Sequence, residues 1–183
     1  MAKRAKKPKR PIVKFDPAKH DLKYKFEYNE EETKELKRML RGKHAVDLND
    51  LRRVALWKLD RVVDVPEVVM EQLRGLVEIE ELQVDSPQSK KALTAIVQCP
   101  GVGFPMASAF LKFLRPGIFP IIDVRAYRAL FGKRLYPSSY TLELYLKYAA
   151  RVREVSREMD MDFPAVDEQL YRFDQVHNKE IDS

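Results

Sequence analysis

Helix-start and helix-stop signals recur along this chain, and they constrain its fold more than any other feature of the sequence. Segments with apolar residues at helical spacing each follow a capping residue or an N-terminal proline, and they span 30–41, 47–59, 66–82, 88–98, 106–114, 124–131, 140–159 and 165–178. Residues 11–28 alternate only weakly, which is typical of extended chain or a short edge strand. The pattern predicts an all-α fold with a minor strand pair at the N-terminus.

Length and cysteine content narrow the classes of protein. The chain has 183 residues and one cysteine, Cys99. This length favours one domain that buries a core without covalent staples. One cysteine excludes an intramolecular disulfide, a four-cysteine zinc site and a cysteine-ligated iron–sulfur cluster. The histidines lack metal-ligand spacing, and no apolar run approaches the roughly 18 residues of a membrane span. We therefore expect no cofactor, no metal and no membrane partner, and a cytoplasmic (nucleoid) or nuclear protein that is not secreted.

Basic residues are concentrated in two parts of the chain. The net charge is +6, and residues 1–10 contain six bases and no acid, so the rest is neutral overall. We expect residues 1–10 to form a disordered basic arm, either binding nucleic acid or serving as a localisation signal or solubilising tail, and residues 11–183 to form a single helical domain. The stretch 88–134 has eight bases against one acid, Asp123, a net charge of +7. Such segregation favours a surface that binds phosphate.

A two-glycine turn separates the fourth and fifth predicted helices, in the sequence CPGVGFP. Pro100 ends one helix, and Gly101 and Gly103 allow a tight turn whose amides are not covered by side chains. Amides at the start of the next helix can hold a phosphate oxygen through the positive end of the helix dipole. The small residues at 107–109 allow the two helices to pack closely. Downstream, an apolar segment ends at Asp123, twenty positions after Gly103.

The stretch 90–134 resembles the helix–hairpin–helix motif of the DNA glycosylases that carry a downstream catalytic aspartate, the HhH-GPD superfamily. Members of that family typically read Leu-Pro-Gly-Val-Gly, then alanine, then an apolar segment that ends in Val/Leu-Asp, then an arginine. Here the corresponding elements are CPGVG, Ala107, FPIID with Asp123, and Arg128. The resemblance covers about 45 residues, and the flanking helices add little specificity to it.

The resemblance implies a compact HhH-GPD-like domain that acts in base-excision DNA repair on double-stranded, lesion-bearing DNA. A damaged or modified base would be extruded into a pocket, and Asp123 would be the catalytic carboxylate that stabilises the oxocarbenium-like sugar. Hydrolysis of the N-glycosidic bond follows from this role, and no protein partner is expected. The residues implied to bind the DNA backbone are Gly101, Val102, Gly103, Pro105, Met106, Lys90, Lys91, Arg125 and Arg128.

The chain departs from the family pattern at two positions of the turn. Members that also cleave the DNA strand carry a nucleophilic lysine two residues after the second glycine, where this chain has Pro105. Proline cannot form a Schiff base, so we expect a monofunctional glycosylase unless another residue such as Lys112 substitutes. Cys99 stands where leucine is usual, which a small buried apolar side chain explains. The cysteine quartet of the iron–sulfur members is absent.

Each candidate residue also has a structural interpretation. Aspartate is among the best N-cap residues, so Asp123 could start a helix without taking part in catalysis. We expect Trp57 in the core rather than stacked on a base. Lys58 and Arg61 could add cations near the site, but solvated surface charge is the default interpretation. The acids of the last helix, Asp167, Glu168 and Asp174, could supply a second catalytic carboxylate, but helix solvation and pairing with the helix dipole explain them better.

Three functions remain open from the sequence. The first is a monofunctional DNA glycosylase, the alternative is a non-catalytic helix–hairpin–helix DNA-binding protein, and the third is a helical adaptor whose turn only packs. A base-sized cavity beside Asp123, open to the turn, favours the enzyme, whereas a carboxylate sealed beneath Trp57 or Tyr127 favours the binding protein. Arg125 and Arg128 could both contact phosphate, or one could pair with an acid instead.

Overall fold

Helices account for all the regular structure in the described part of the chain. The computed structural model describes residues 11–25, 30–59 and 65–178, which leaves the basic arm at 1–10 outside the described residues. These ranges contain no strand, one short 3-10 turn (Pro137–Ser139), and the helices α1 (Glu30–Leu40), α2 (Leu48–Leu59), α3 (Glu67–Glu78), α4 (Pro87–Val97), α5 (Phe104–Leu114), α6 (Val124–Phe131), α7 (Leu142–Glu158) and α8 (Phe163–His177). The all-α class is confirmed, and the N-terminal strand pair is wrong for the described residues. None of the described helices combines the length and apolar character that a membrane crossing requires.

The predicted caps explain where several helices begin. Asp47 accepts the amide of Asn49 at 2.7 Å ahead of α2, and Ser86 accepts the amide of Ser89 at 3.2 Å at the start of α4. Each of these bonds satisfies an amide that has no partner inside the helix. The long α7 begins at Leu142 rather than at residue 140, because the hydroxyl of Thr141 accepts the amide of Leu144 and caps the helix.

Helix α3 ends earlier than its apolar pattern predicts, because an arginine takes over its last carbonyls. The Nη1 atom of Arg115 donates to the carbonyl of Leu76 at 2.7 Å and to that of Ile79 at 2.6 Å. These carbonyls are satisfied without another helical turn, and Ile79 is already extended. Arg115 is therefore a structural residue, although its sequence position places it in the basic stretch 88–134.

Large side chains from most of the helices share one core. Helix α6 packs along α8, α3 packs on α4, and α2 packs on α5. Burying a large apolar side chain contributes about 1.5–3 kcal/mol, so this core supplies the main stabilisation of the fold. The most completely buried aromatic side chains are Phe110, Phe119, Tyr145, Tyr148 and Phe173.

An extended N-terminal strap, residues 11–25, crosses α6 and α8 without joining a sheet. Asn178 donates its amide to the carbonyl of Val13 and accepts the amide of the same residue at 2.8 Å. Gln169 makes the same two-way contact with the backbone of Tyr24. Since these side-chain amides satisfy the backbone groups of the strap, no partner strand is needed.

Candidate functional site

The turn between α4 and α5 leaves backbone amides free. Gly101 has a φ of 77°, in the left-handed region that favours glycine, and Gly103 directly precedes α5. The amide of Val102 donates to the carbonyl of Cys99 at 3.0 Å, which closes the turn internally. The amides of Gly101 and Gly103 have no protein acceptor in the described part of the chain. They are available to a ligand oxygen at the N-terminal end of a helix.

Asp123 is the N-cap of α6, as its sequence position predicts. Its Oδ1 atom accepts the amides of Arg125 at 2.7 Å and Ala126 at 2.8 Å. Its Oδ2 atom makes no hydrogen bond to any residue that the structure describes. The side chain is partly exposed. One oxygen therefore fixes the carboxylate to the helix, and the other remains available for a ligand.

The linker between α5 and Asp123, residues 115–122, has backbone amides that two buried side chains accept. The amide of Ile122 donates to the Oγ atom of Ser108 on α5 at 3.1 Å. The amide of Ile121 donates to the Oδ2 atom of Asp167 on α8 at 2.5 Å. A buried extended segment must satisfy its amides, and here α5 and α8 both do so, which fixes the place where Asp123 emerges.

Two tyrosines of α7 hold the carbonyls of the same linker. The hydroxyl of Tyr145 donates to the carbonyl of Pro120 at 3.1 Å, and that of Tyr148 donates to the carbonyl of Ile121 at 2.8 Å. Burial raises the pKa of both phenols well above the ordinary value, so both remain protonated donors. Helical periodicity marks the two tyrosines as core residues, but it does not reveal these bonds.

A cleft of about 650 Å³ lies beside Asp123. Gly101 and Gly103 line it together with Asp123, so the turn and the carboxylate share one site. Its volume falls within the range of small-molecule pockets. The remaining lining residues come from α2, from α4 to α6, from the α6–α7 loop and from α8; they are Lys58, Val97, Phe104, Pro105, Met106, Val124, Arg125, Tyr140 and Tyr171.

Aromatic rings and cations form the walls of this cleft. The rings of Phe104 and Tyr140 stack with centroids 6.2 Å apart and planes inclined by 12°. The guanidinium of Arg125 lies 5.8 Å from the ring centroid of Tyr171. Burial, with a contribution from the charge of Asp123, raises the pKa of both tyrosines, so both are neutral at physiological pH. Rings and cations in this arrangement suit a planar ligand attached to phosphate.

Not every residue of the turn presents its side chain to the cleft. Gly101, Gly103, Pro105 and Met106 line it, whereas the side chain of Val102 is buried in the core. Val102 can therefore contact a ligand only through its backbone.

Lys112 is not available as a nucleophile. Its Nζ atom is buried and lies 2.6 Å from Oδ1 of Asp167, 3.2 Å from Oε1 of Glu168 and 2.7 Å from the carbonyl of Pro164. Burial alone would lower the pKa of Lys112, but the two carboxylates raise it above its ordinary value. A buried ammonium cannot attack a sugar. Asp167 is thus an internal partner of this lysine rather than the solvated helix charge that the sequence suggests.

The expected contact between Arg128 and DNA phosphate is wrong. The guanidinium of Arg128 is buried and donates to both carboxylate oxygens of Asp174, with an Nε–Oδ1 distance of 2.7 Å. Asn178 donates to the same Oδ1 atom at 2.8 Å. Arg125 lies 3.6 Å from Oδ2 of Asp174 and still lines the cleft. Of the two arginines, Arg125 is the one that remains at the candidate site.

Lys90 and Lys91 do not line the cleft beside Asp123. They border a shallow groove on α4 that also includes Thr94 and Gln98. Gln98 is the last residue before the turn, so this groove runs toward the exposed amides of the turn. The structure does not bring either lysine into the cleft, but it places both on the approach to the turn.

Lys58 is a cleft residue, as the less favoured of its two sequence interpretations has it, whereas Arg61 lies outside the described residues. It lines the main cleft and a small adjoining pocket, and Asp123 and Tyr171 border both of them. Trp57 is half-buried, donates to Thr33 at 3.1 Å and packs edge-on against the ring of Phe113, in agreement with its expected core position.

No family model, no curated protein and no solved structure matches this chain. Within the described ranges, no cluster of three or more histidine, cysteine or acidic side chains is arranged to hold a metal ion. The function of the cleft is therefore inferred from its own geometry and chemistry.

Proposed function

We propose that this protein is a DNA glycosylase-like base-excision repair protein of the HhH-GPD type. It hydrolyses the N-glycosidic bond of an extruded damaged or modified base, with Asp123 as the catalytic carboxylate. The observation that carries the proposal is the cleft that Asp123 shares with Gly101 and Gly103. A turn that holds a DNA strand and a carboxylate that meets its sugar must face the same space, and these residues do.

The turn supplies the grip on the DNA backbone. Two amides without protein acceptors lie at the start of α5, where the helix dipole favours a phosphate oxygen. Lys58 and Arg125 add positive charge to the same cleft. Contacts of this kind do not depend on sequence, as a repair enzyme that scans DNA requires.

Asp123 supplies the chemistry. When the bond between C1′ and the base nitrogen breaks, the base leaves with the electron pair and the sugar develops positive charge, which the carboxylate stabilises. A water molecule then adds to C1′ and passes its proton to the carboxylate or to solvent. The two amides on Oδ1 hold the carboxylate in place, and Oδ2 is the oxygen left to face the sugar.

The aromatic walls fit the extruded base. Phe104 and Tyr140 form a stacked pair on one side of the cleft, and Tyr171 is the third ring. A base that leaves the helix loses its stacking partners, and aromatic side chains replace them.

The direct experiment incubates the protein with duplexes that each carry one lesion, followed by alkali to cleave abasic sites. We expect the wild type to produce an abasic site on at least one lesion, and Asp123→Asn to lower the rate by about 100-fold or more, the range reported for removing a transition-state electrostatic contact. Asparagine still caps α6 through its carbonyl oxygen, so this variant removes the charge and keeps the helix start.

A turn variant separates binding from chemistry. Gly103 is exposed, and an added Cβ atom there meets only the Cδ atom of Pro105, at 3.8 Å, so Gly103→Leu introduces no clash at its Cβ. We expect this variant to lose affinity for every duplex, while Asp123→Asn retains it. Duplex binding without an abasic product on any lesion assigns the non-catalytic alternative, and no binding at all leaves only the adaptor.

A further inference from the structure

We infer that Lys133 and Arg134, with Lys14 of the N-terminal strap, form a second contact to the DNA backbone. They would meet phosphates about three to four nucleotide steps from the nucleotide that the cleft engages. The inference rests on the proposed function and names the surface along which the duplex continues beyond the cleft.

Three exposed bases without a carboxylate partner among the described residues lie at or beside the C-terminal end of α6. Several other exposed bases pair with a neighbouring carboxylate, as Lys23 does with Asp21 at 2.8 Å. Lys14, Lys133 and Arg134 are exposed and form no ion pair with any residue that the structure describes. The loop that contains two of them, residues 132–141, has no acid in its sequence. Cations without local counter-charges attract a polyanion most strongly.

Helix α6 fixes how far this surface lies from the cleft. Asp123 caps one end of the helix and Gly132 the other, across 8 residues, or about 12 Å at 1.5 Å per residue. The side chain of Lys14 lies against Gly132: a Cβ atom added to Gly132 would lie 3.0 Å from the Cβ atom of Lys14. Successive nucleotides of one DNA strand rise by about 3.4 Å, so the separation corresponds to roughly three to four steps.

An exposed tyrosine orients the outermost of these cations. The guanidinium of Arg134 lies 5.5 Å from the ring centroid of Tyr136, whose side chain is 55% exposed. The ring restrains the guanidinium without neutralising it, which leaves its N–H groups for a phosphate. The same loop returns to the cleft at Tyr140, so the second contact and the cleft belong to one continuous segment.

The first experiment measures the salt dependence of duplex binding for matched arginine variants. Arg134→Gln removes one proposed phosphate contact, and we expect the slope of log K against log salt to fall by about 1 and the affinity to fall several-fold. Arg157→Gln is the control, because this exposed arginine lies near the far end of α7, about 22 Å along the helix from its start beside the cleft. We expect the control to keep the wild-type slope.

The second experiment locates the contact along the DNA. The probe is a duplex with one tetrahydrofuran abasic site, in which single phosphates are replaced by neutral methylphosphonates. We expect the wild type to lose affinity when the replaced phosphate lies about three to four steps from the abasic site. Arg134→Gln should show no further loss at that position, because the contact is already absent.

The outcomes separate the two proposals. If Arg134→Gln and Arg157→Gln both keep the wild-type slope while Gly103→Leu loses binding, the second contact is overturned and the proposed function stands. If the wild type binds no duplex, both fall. A methylphosphonate effect that is the same in wild type and Arg134→Gln also overturns the second contact.

Discussion

One carboxylate at the start of α6 combines a structural and a proposed chemical role. The Oδ1 atom of Asp123 accepts two backbone amides, and its Oδ2 atom has no partner among the residues that the structure describes. The two amides hold the carboxylate in place without using its second oxygen. One residue can therefore both cap the helix and take part in catalysis. A substitution that removes the charge but keeps the cap separates the two roles from one that removes both.

We expect Asp123→Ala to lower the free energy of unfolding by about 1 kcal/mol, because it removes the N-cap of α6. Asp123→Asn should cost much less, since the amide oxygen can accept the same two hydrogen bonds from Arg125 and Ala126. Urea denaturation of the two variants and the wild type measures the difference. Equal losses in the two variants would show that the charge, rather than the cap, stabilises this end of the helix.

The amines near the cleft determine whether strand cleavage accompanies excision. Pro105 offers no amine, and Lys112 is buried against Asp167 and Glu168. We therefore expect no covalent adduct when the protein is incubated with abasic duplex and borohydride, which traps a Schiff base. A trapped adduct would contradict this expectation, and Lys58→Gln would then test the one lysine that lines the cleft among the described residues.

Among the elements, the N-terminal strap is held in part by two histidines, His20 and His177. The Nε2 atom of His177 lies 3.0 Å from the hydroxyl of Tyr24, and its ring lies 4.3 Å from that of Phe173. The Nδ1 atom of His20 accepts the amide of Asp16 at 3.0 Å. Burial and the nearby His20 lower the pKa of His177 below its ordinary value of 6.5.

Acid should therefore loosen the strap before it unfolds the core. The folded pKa of His177 lies below the unfolded value, so the unfolded state takes up the proton first as the pH falls. The stabilisation is complete above the unfolded pKa and is lost toward the folded pKa. We expect hydrogen exchange in residues 11–25 to accelerate as the pH falls below about 6.5, the ordinary pKa of histidine, after correction for its intrinsic pH dependence. The response should be smaller in His177→Gln. An identical response in that variant would assign the effect to another group.

At the scale of the whole molecule, local sequence signals predict the elements better than their contacts. The caps at Asp47, Ser86 and Asp123 mark helix starts because each acts on amides two or three residues away. The early end of α3 is not predictable in this way, because it depends on Arg115, which lies 36 residues after Ile79 in the chain. Sequence periodicity carries no information about such distant partners.

The dependence on distant partners also limits which candidate site residues the sequence can place at the cleft. The sequence alone places Asp123 and the two glycines of the turn in one motif, and the fold brings them to one cleft. It cannot separate Arg125 from Arg128, because the distinction depends on Asp174, 46 residues beyond Arg128 in the chain. A count of charges along a segment adds buried ion pairs to exposed cations, so the charge of 88–134 overstates the surface that is available to phosphate.

Because residues 11–183 are neutral overall, the basic residues at 1–10 should dominate the long-range attraction of the protein to DNA. Without these ten residues the chain is neutral overall, with 28 bases and 28 acids in the rest of the sequence. Its local cationic surfaces near the turn and the α6–α7 loop would then act only at short range, within about one Debye length of 8 Å at physiological salt.

We expect deletion of residues 1–10 to weaken binding to any duplex and to reduce the salt slope by up to about 5, since each released counterion contributes roughly 0.9. The rate of base excision at saturating protein and the melting temperature should not change, because the buried core of the described residues begins at Phe15 and every residue that lines the cleft lies after it in the chain. A full-length variant with the six bases of the arm replaced by glutamine separates charge from length. If that variant binds like the wild type, the arm contributes solubility rather than affinity.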